Sequence, residues 1–87
     1  MSISETIKER TNTHGVFEAN SANSQSIQAA MRATRNWCDL DNDQREALQM
    51  IAHKIGRILA GDPNFHDHWH DIAGYAECVA NRLKRDA

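Results

Sequence analysis

Two apolar registers separated by one short turn constrain this chain more than any other feature. Leu48, Ile51, Ile55, Ile58 and Leu59 recur at three- and four-residue intervals, and Trp69, Ile72, Ala76, Val79 and Leu83 repeat the pattern beyond Gly61-Asp62-Pro63-Asn64. That is the period of one face of an α-helix. Gly61 suits a helix stop, and Pro63 cannot continue the helix before it. Asp41-x-x-Gln44 reads as the start of the first helix and Asn64-x-x-Asp67 as a cap for the second, whose basic tail Lys84-Arg85 complements the carbonyl end of the helix dipole. Helices over 41–60 and 64–85, each ~30 Å long, therefore form an antiparallel hairpin.

The upstream half carries weaker signals. Ser2-Ile3-Ser4-Glu5 has capping-box spacing and predicts a short helix over 3–10, stopped by the turn formers Thr11-Asn12-Thr13-His14-Gly15. A further helix is expected over 16–38. Its first half is polar (Asn20, Ser21, Asn23, Ser24, Gln25, Ser26), which implies weak packing or a polar lining, and apolar residues then recur at helical spacing from Ile27. The chain thus reads as a single all-α domain over 1–87, with segments 1–15, 16–38, 41–60 and 64–85. One proline and four glycines in 87 residues agree with long uninterrupted elements. A hairpin plus one weaker helix leaves two apolar stripes with little cover, so the bundle is expected to be completed by a homodimer or higher homo-oligomer.

Composition excludes several classes. A net charge of −2 argues against a basic nucleic-acid binder. No apolar run approaches the ~20 residues of a membrane span, and no apolar leader follows Met1. Two cysteines, Cys38 and Cys78, form no disulfide framework and read as small core residues of a protein in a reducing cytoplasm.

The densest chemistry lies in Phe65-His66-Asp67-His68-Trp69-His70-Asp71. On a helix, His66 with His70 and Asp67 with Asp71 are i, i+4 pairs. The histidines suit a transition metal and the carboxylates a hard cation such as Mg²⁺; the plain alternative is a solvated first turn with acids near the helix N-terminus. Glu46, Gln49, His53 and Arg57 form a polar row on the preceding helix, with Lys54 beside it. In an antiparallel hairpin Lys54 and Arg57 fall nearest Asp67 and Asp71, where they either pair with the acids or hold a phosphate. Gly74, in mid-helix, marks close helix approach or room for a ligand, with close approach favoured. Trp37, Trp69 and Tyr75 read as core aromatics rather than stacking platforms.

The wording of the chain adds a resemblance. His14-Gly15 with Asn20, the helix Lys54-Ile55-Gly56-Arg57, and Asp67-His68-Trp69-His70-Asp71-Ile72-Ala73-Gly74-Tyr75-Ala76 together resemble a family of small phage and prophage proteins without settled function, over residues 10–83. That family is in turn similar to the MazG-type all-α nucleotide pyrophosphohydrolases, which cleave nucleoside triphosphates using Mg²⁺ held by a Glu-x-x-Glu and a Glu-x-x-Asp helix. The resemblance implies a MazG-like bundle that binds a phosphorylated nucleotide. Its implied ligand set is His14, Asn20, Lys54, Arg57 and Tyr75, with Asp67 and Asp71 for Mg²⁺. The chain departs from the pattern: His68 stands where the second motif has Glu, and Glu46 is the only acid in the body of the first-motif helix, so about half of the carboxylate cage is present. Two function classes follow. One is a nucleotide-binding protein, degenerate as a pyrophosphohydrolase. The other is a small phage inhibitor of host defence, acting in the infected cell's cytoplasm by docking on a host protein such as a CRISPR effector or by sequestering an immune nucleotide.

Overall fold

The Ser2 hydroxyl accepts a hydrogen bond from the backbone N–H of Glu5 at 3.1 Å and starts the first helix as its spacing predicts. The computed structural model describes residues 2–87, so Met1 of the expected 1–15 segment lies outside the described residues. They form four α-helices and no strand: α1 (Ile3–His14), α2 (Phe17–Arg32), α3 (Asn42–Ala60) and α4 (His66–Asp86), with a single 3₁₀ turn at Trp37–Asp39 before α3. None is long and apolar enough to cross a membrane.

Three boundaries differ from the sequence reading for local reasons. First, α1 runs through the turn formers to His14, because the Thr11 and Thr13 hydroxyls bond back to the carbonyls of Ile7 (2.9 Å) and Arg10 (3.3 Å) instead of competing with the helix. Second, the segment expected over 16–38 stops at Arg32, where Thr34 turns both its hydroxyl and its N–H onto the Met31 carbonyl and tightens the chain into a turn. Third, Asn64 does not cap α4. The Asp62 carboxylate accepts the Asn64 N–H at 2.9 Å, closing the Asp-Pro-Asn turn, and α4 begins behind Phe65 with no side-chain cap. The start of α3 is as read: the Gln44 side chain reaches back to the Asp41 N–H at 2.8 Å.

Helix α3 lies between α2 and α4 and packs on both; α1 lies across its C-terminal end. The hairpin of α3 and α4 is antiparallel and tied at two levels. Near its open end, Arg82 forks onto Asp43 at 2.6 and 2.8 Å and reaches Asp41 at 2.9 Å. Nearer the connecting turn, the Lys54 ammonium meets Asp71 at 2.9 Å. On the other side, α2 turns its small polar residues inward. Ser24 and Gln28 are buried and hydrogen-bonded to each other at 3.0 Å, and Asn23 donates to the Gly56 carbonyl at 3.3 Å. The polar half of α2, read as either weakly packed or a polar lining, packs on α3 through its polar residues. It works because Gly56 lets the helices close: a Cβ there would lie 2.6 Å from the Asn20 carbonyl oxygen.

Gly74, by contrast, faces open space, and the close approach expected of it is made at Gly56. Other core expectations are likewise corrected. Cys38 and Cys78 are exposed, and Trp69 is 55% exposed with its indole N–H on the Pro63 carbonyl. Cys38 sits in the short 3₁₀ turn, and Cys78 lines an open groove between α3 and α4. Buried apolar side chains among the described residues are few: Ala47, Ala52 and Ile58.

Candidate functional site

The four helices meet around His14. Gly15 ends α1 with φ of +75°, a left-handed turn that an L side chain resists, and a Cβ there would strike the backbone of Ala60. Gly61, at the end of α3, abuts the Thr13 carbonyl. That carbonyl accepts twice, from the Asp62 N–H at 3.0 Å and from His68 Nε2 at 3.1 Å. Asn20 of α2 donates to the His14 carbonyl at 3.2 Å. Two glycines and the shared Thr13 carbonyl thus lock the end of α1 onto the turn between α3 and α4, and the His14 carbonyl ties it to α2.

Inside this junction His68 is 1% exposed. Its ring packs edge-on against Phe65 at 4.9 Å and tilted against His14 at 4.7 Å. Since the Thr13 carbonyl can only accept, His68 carries its proton on Nε2. His14 makes a 2.8 Å contact with the Thr13 hydroxyl through Nδ1. Burial, then the positive fields of Arg57, His68, Lys54 and Arg10, push its pKa down to about 4. At neutral pH His14 is an uncharged donor–acceptor among cations.

This arrangement has a pH consequence. A histidine whose cation is disfavoured by folding binds more protons when unfolded, so its contribution to stability is complete above its unfolded pKa and is lost as pH falls from 6.5 toward 4. Asp43 and Asp71, held below the usual carboxylate range by Arg82 and Lys54 respectively, release their contribution only at lower pH, as it falls below their unfolded value of 3.8. Urea midpoints measured from pH 7 to 4 are expected to fall across that interval in the wild type and to flatten in His14→Gln. Parallel curves for the two proteins would contradict the burial of His14.

Beside His14 a cavity of about 500 Å³ opens between α1 and α2. Arg10, His14, Asn20 and Arg57 give it a polar, cationic side; Ile7 and Phe17 form an apolar mouth, with Phe17 75% exposed. Of the residues singled out in the sequence, the structure brings His14, Asn20 and Arg57 together here. Lys54 lies near enough to act on His14, but its ammonium is held by Asp71. Tyr75 is elsewhere, in a groove of about 550 Å³ shared with Glu46 and Arg82 on the hairpin. Arg10 and Phe17 were not singled out. A signal existed for Arg10, which precedes His14 by one helical turn; Phe17 joins the cavity only through the reversal at Gly15.

Asp67 and Asp71 do not gather a cation cage. Asp71 is paired with Lys54, while Asp67 is exposed beside His66, its carboxylate 3.4 Å from the ring. His66 and His70 stack on each other at 5.5 Å, and among the described residues no group of three or more His, Cys, Asp or Glu side chains converges as metal ligands would. The donors present therefore do not fit a resident Mg²⁺. No known family model, curated protein or solved structure matches the chain.

Proposed function

We propose that this chain is a MazG-like nucleotide-binding protein of the small phage type that binds its ligand without hydrolysing it. The observation that carries the reading is the convergence of Arg10, Arg57, neutral His14 and Asn20 on one cavity with an aromatic mouth. Guanidinium groups present planar forks that match phosphate oxygens. The exposed ring of Phe17 offers a face for a base, an interaction worth about 1–3 kcal/mol per base. The cavity also falls within the range of about 300–1,000 Å³ usual for small-molecule sites.

Two-metal hydrolysis requires carboxylates that concentrate Mg²⁺ and activate water. With Asp71 engaged by Lys54 and Asp67 turned aside, the proposal stops at binding. Binding without turnover is also what a phage protein needs to sequester a nucleotide immune signal, and this observation favours sequestration over protein docking as the anti-defence role. The proposed acting form is a homo-oligomer in the host cytoplasm.

Calorimetry of the purified chain against ribo- and deoxynucleoside triphosphates and cyclic nucleotides tests the reading. Arg57→Met is expected to weaken binding of the responding nucleotide tenfold or more, about 1.4 kcal/mol, with an unchanged helical circular dichroism spectrum. Lys54→Met should instead act mainly on stability. Absence of saturable binding across the panel, or equal affinity in folded Arg57→Met, overturns the assignment.

A further inference from the structure

The apolar stripe that dominates the sequence of α3 is only partly covered by its neighbours: Ile58 is buried, Ile51 and Ile55 are half-buried, and Leu48 and Leu59 are exposed. Ala52 and Gly56 point at α2, where Gly56 touches Asn20 and Ser24. Asp43 and Lys54 point at α4, where they meet Arg82 and Asp71. Gln44, Leu48, Ile51, Ile55 and Leu59 follow at helical intervals on the face between these two directions. Leu48 remains 40% and Leu59 68% exposed. Beside them Leu40, Ala76 and Val79 line a groove of about 290 Å³ with Gln44, Leu48 and Ile51, and Leu83 extends the strip along α4. The opposite side of α3, through Glu46, His53 and Arg57, is polar. The three helices α2, α3 and α4 therefore form a single layer with one bare apolar face.

The dimensions agree. A compact chain of 87 residues has a radius of gyration near 12 Å, whereas this one has 14.7 Å and extents of 46 × 27 × 23 Å. A monomer of 9.8 kDa exposes about 5,200 Å², and this chain exposes 6221 Å². The excess, about 1,000 Å², is close to the ~800 Å² that each partner contributes to a standard stable interface.

We infer that the Leu48–Ile51–Ile55–Leu59 face binds the same face of a second copy across a two-fold axis, so that two α3–α4 hairpins form the four-helix core that one chain lacks. Such an interface is isologous: one self-complementary patch supplies both sides. It completes a second layer over the exposed stripe and leaves the polar side of α3, with the His14 cavity, facing outward. The inference concerns a different face from the ligand reading and stands or falls independently of it.

Sedimentation equilibrium of the full chain tests it. The wild type is expected at twice the chain mass and Leu48→Glu at the single-chain mass with its helical signal kept. Glu46→Lys, on the polar side, should stay dimeric. Should Leu48→Glu lose its helical signal, Leu59→Glu carries the same test at a more exposed position. A wild type at single-chain mass over the whole concentration range overturns the inference and leaves the face for another protein's helix. So does a dimer that survives both glutamate substitutions, or one that only Glu46→Lys dissociates.

Discussion

Gly56→Ala is expected to lower the melting temperature by about 10 °C, a loss near 2 kcal/mol for a domain of this size, although alanine is the better helix former by about 1 kcal/mol. The sign is decided by what the added carbon meets. It would lie 2.6 Å from the Asn20 carbonyl oxygen and 3.2 Å from the Ser24 backbone nitrogen. Both are backbone atoms of α2, so no rotamer change relieves the contact. Helix α2 must move away from α3, which breaks the Asn23–Gly56 hydrogen bond and uncovers the buried Ser24–Gln28 pair within α2. Overpacking of this kind costs roughly 1–3 kcal/mol, more than the propensity gain. Gly74→Ala provides the opposite case. It is also mid-helix, but nothing lies within 4 Å of its Cβ position, and alanine there should stabilise by up to about 1 kcal/mol. Thermal unfolding of the two variants checks the pair, and a shift of the same sign in both would refute the α2–α3 packing.

His68→Ala is expected to cost about 3 kcal/mol. The ring is 1% exposed, donates to the Thr13 carbonyl at 3.1 Å and contacts both Phe65 and His14. Its removal leaves a void and deletes a hydrogen bond at the point where α1 is anchored. The Thr13 carbonyl keeps its bond from Asp62, which limits the loss. Urea titration should show a lower midpoint with little change in slope. His68→Gln, which restores a donor but not the aromatic contacts, is expected to recover part of the loss. A cost below about 0.5 kcal/mol, within the range of an ordinary surface change, would mean that α1 is held elsewhere. Because the cavity draws Arg10 and His14 from α1 and Asn20 and Arg57 from α2 and α3, releasing α1 should also weaken nucleotide binding.

The legible features of this chain were those determined by neighbours in sequence. Ser2 with Glu5, and Asp41 with Gln44, cap helices through groups three residues apart, and the break at Gly61-Asp62-Pro63 follows from local backbone preference. The antiparallel hairpin follows from two apolar periods and a short connection. Once antiparallel, it brings Lys54 within reach of Asp71, one of the two outcomes the spacing allowed. The candidate site was legible in part for the same reason: His14, Asn20 and Arg57 could be singled out by type and position, and Arg10 lies one turn from His14.

The rest depended on which face of each helix acquired a neighbour. Gly56 and Gly74 are both mid-helix glycines, and only the crossing of α2 over α3 distinguishes the one in contact from the one in open space. Among the three clustered histidines, His68 alone falls under the end of α1 and is buried, whereas His66 and His70 stay exposed. Cys38, Cys78 and Trp69 remain exposed, so their apolar character did not make them core. By itself the amino-acid sequence determined four helices, the capped starts of α1 and α3, and the hairpin, because these rest on interactions within a few residues or on a repeating apolar period. The tertiary structure alone decided that α2 packs through polar residues, that His14 is neutral among cations, and that Leu48 and Leu59 of the strongest apolar stripe stay exposed while its Ile58 is buried. Those outcomes are set by close approach and by burial, and both depend on residues distant in the chain.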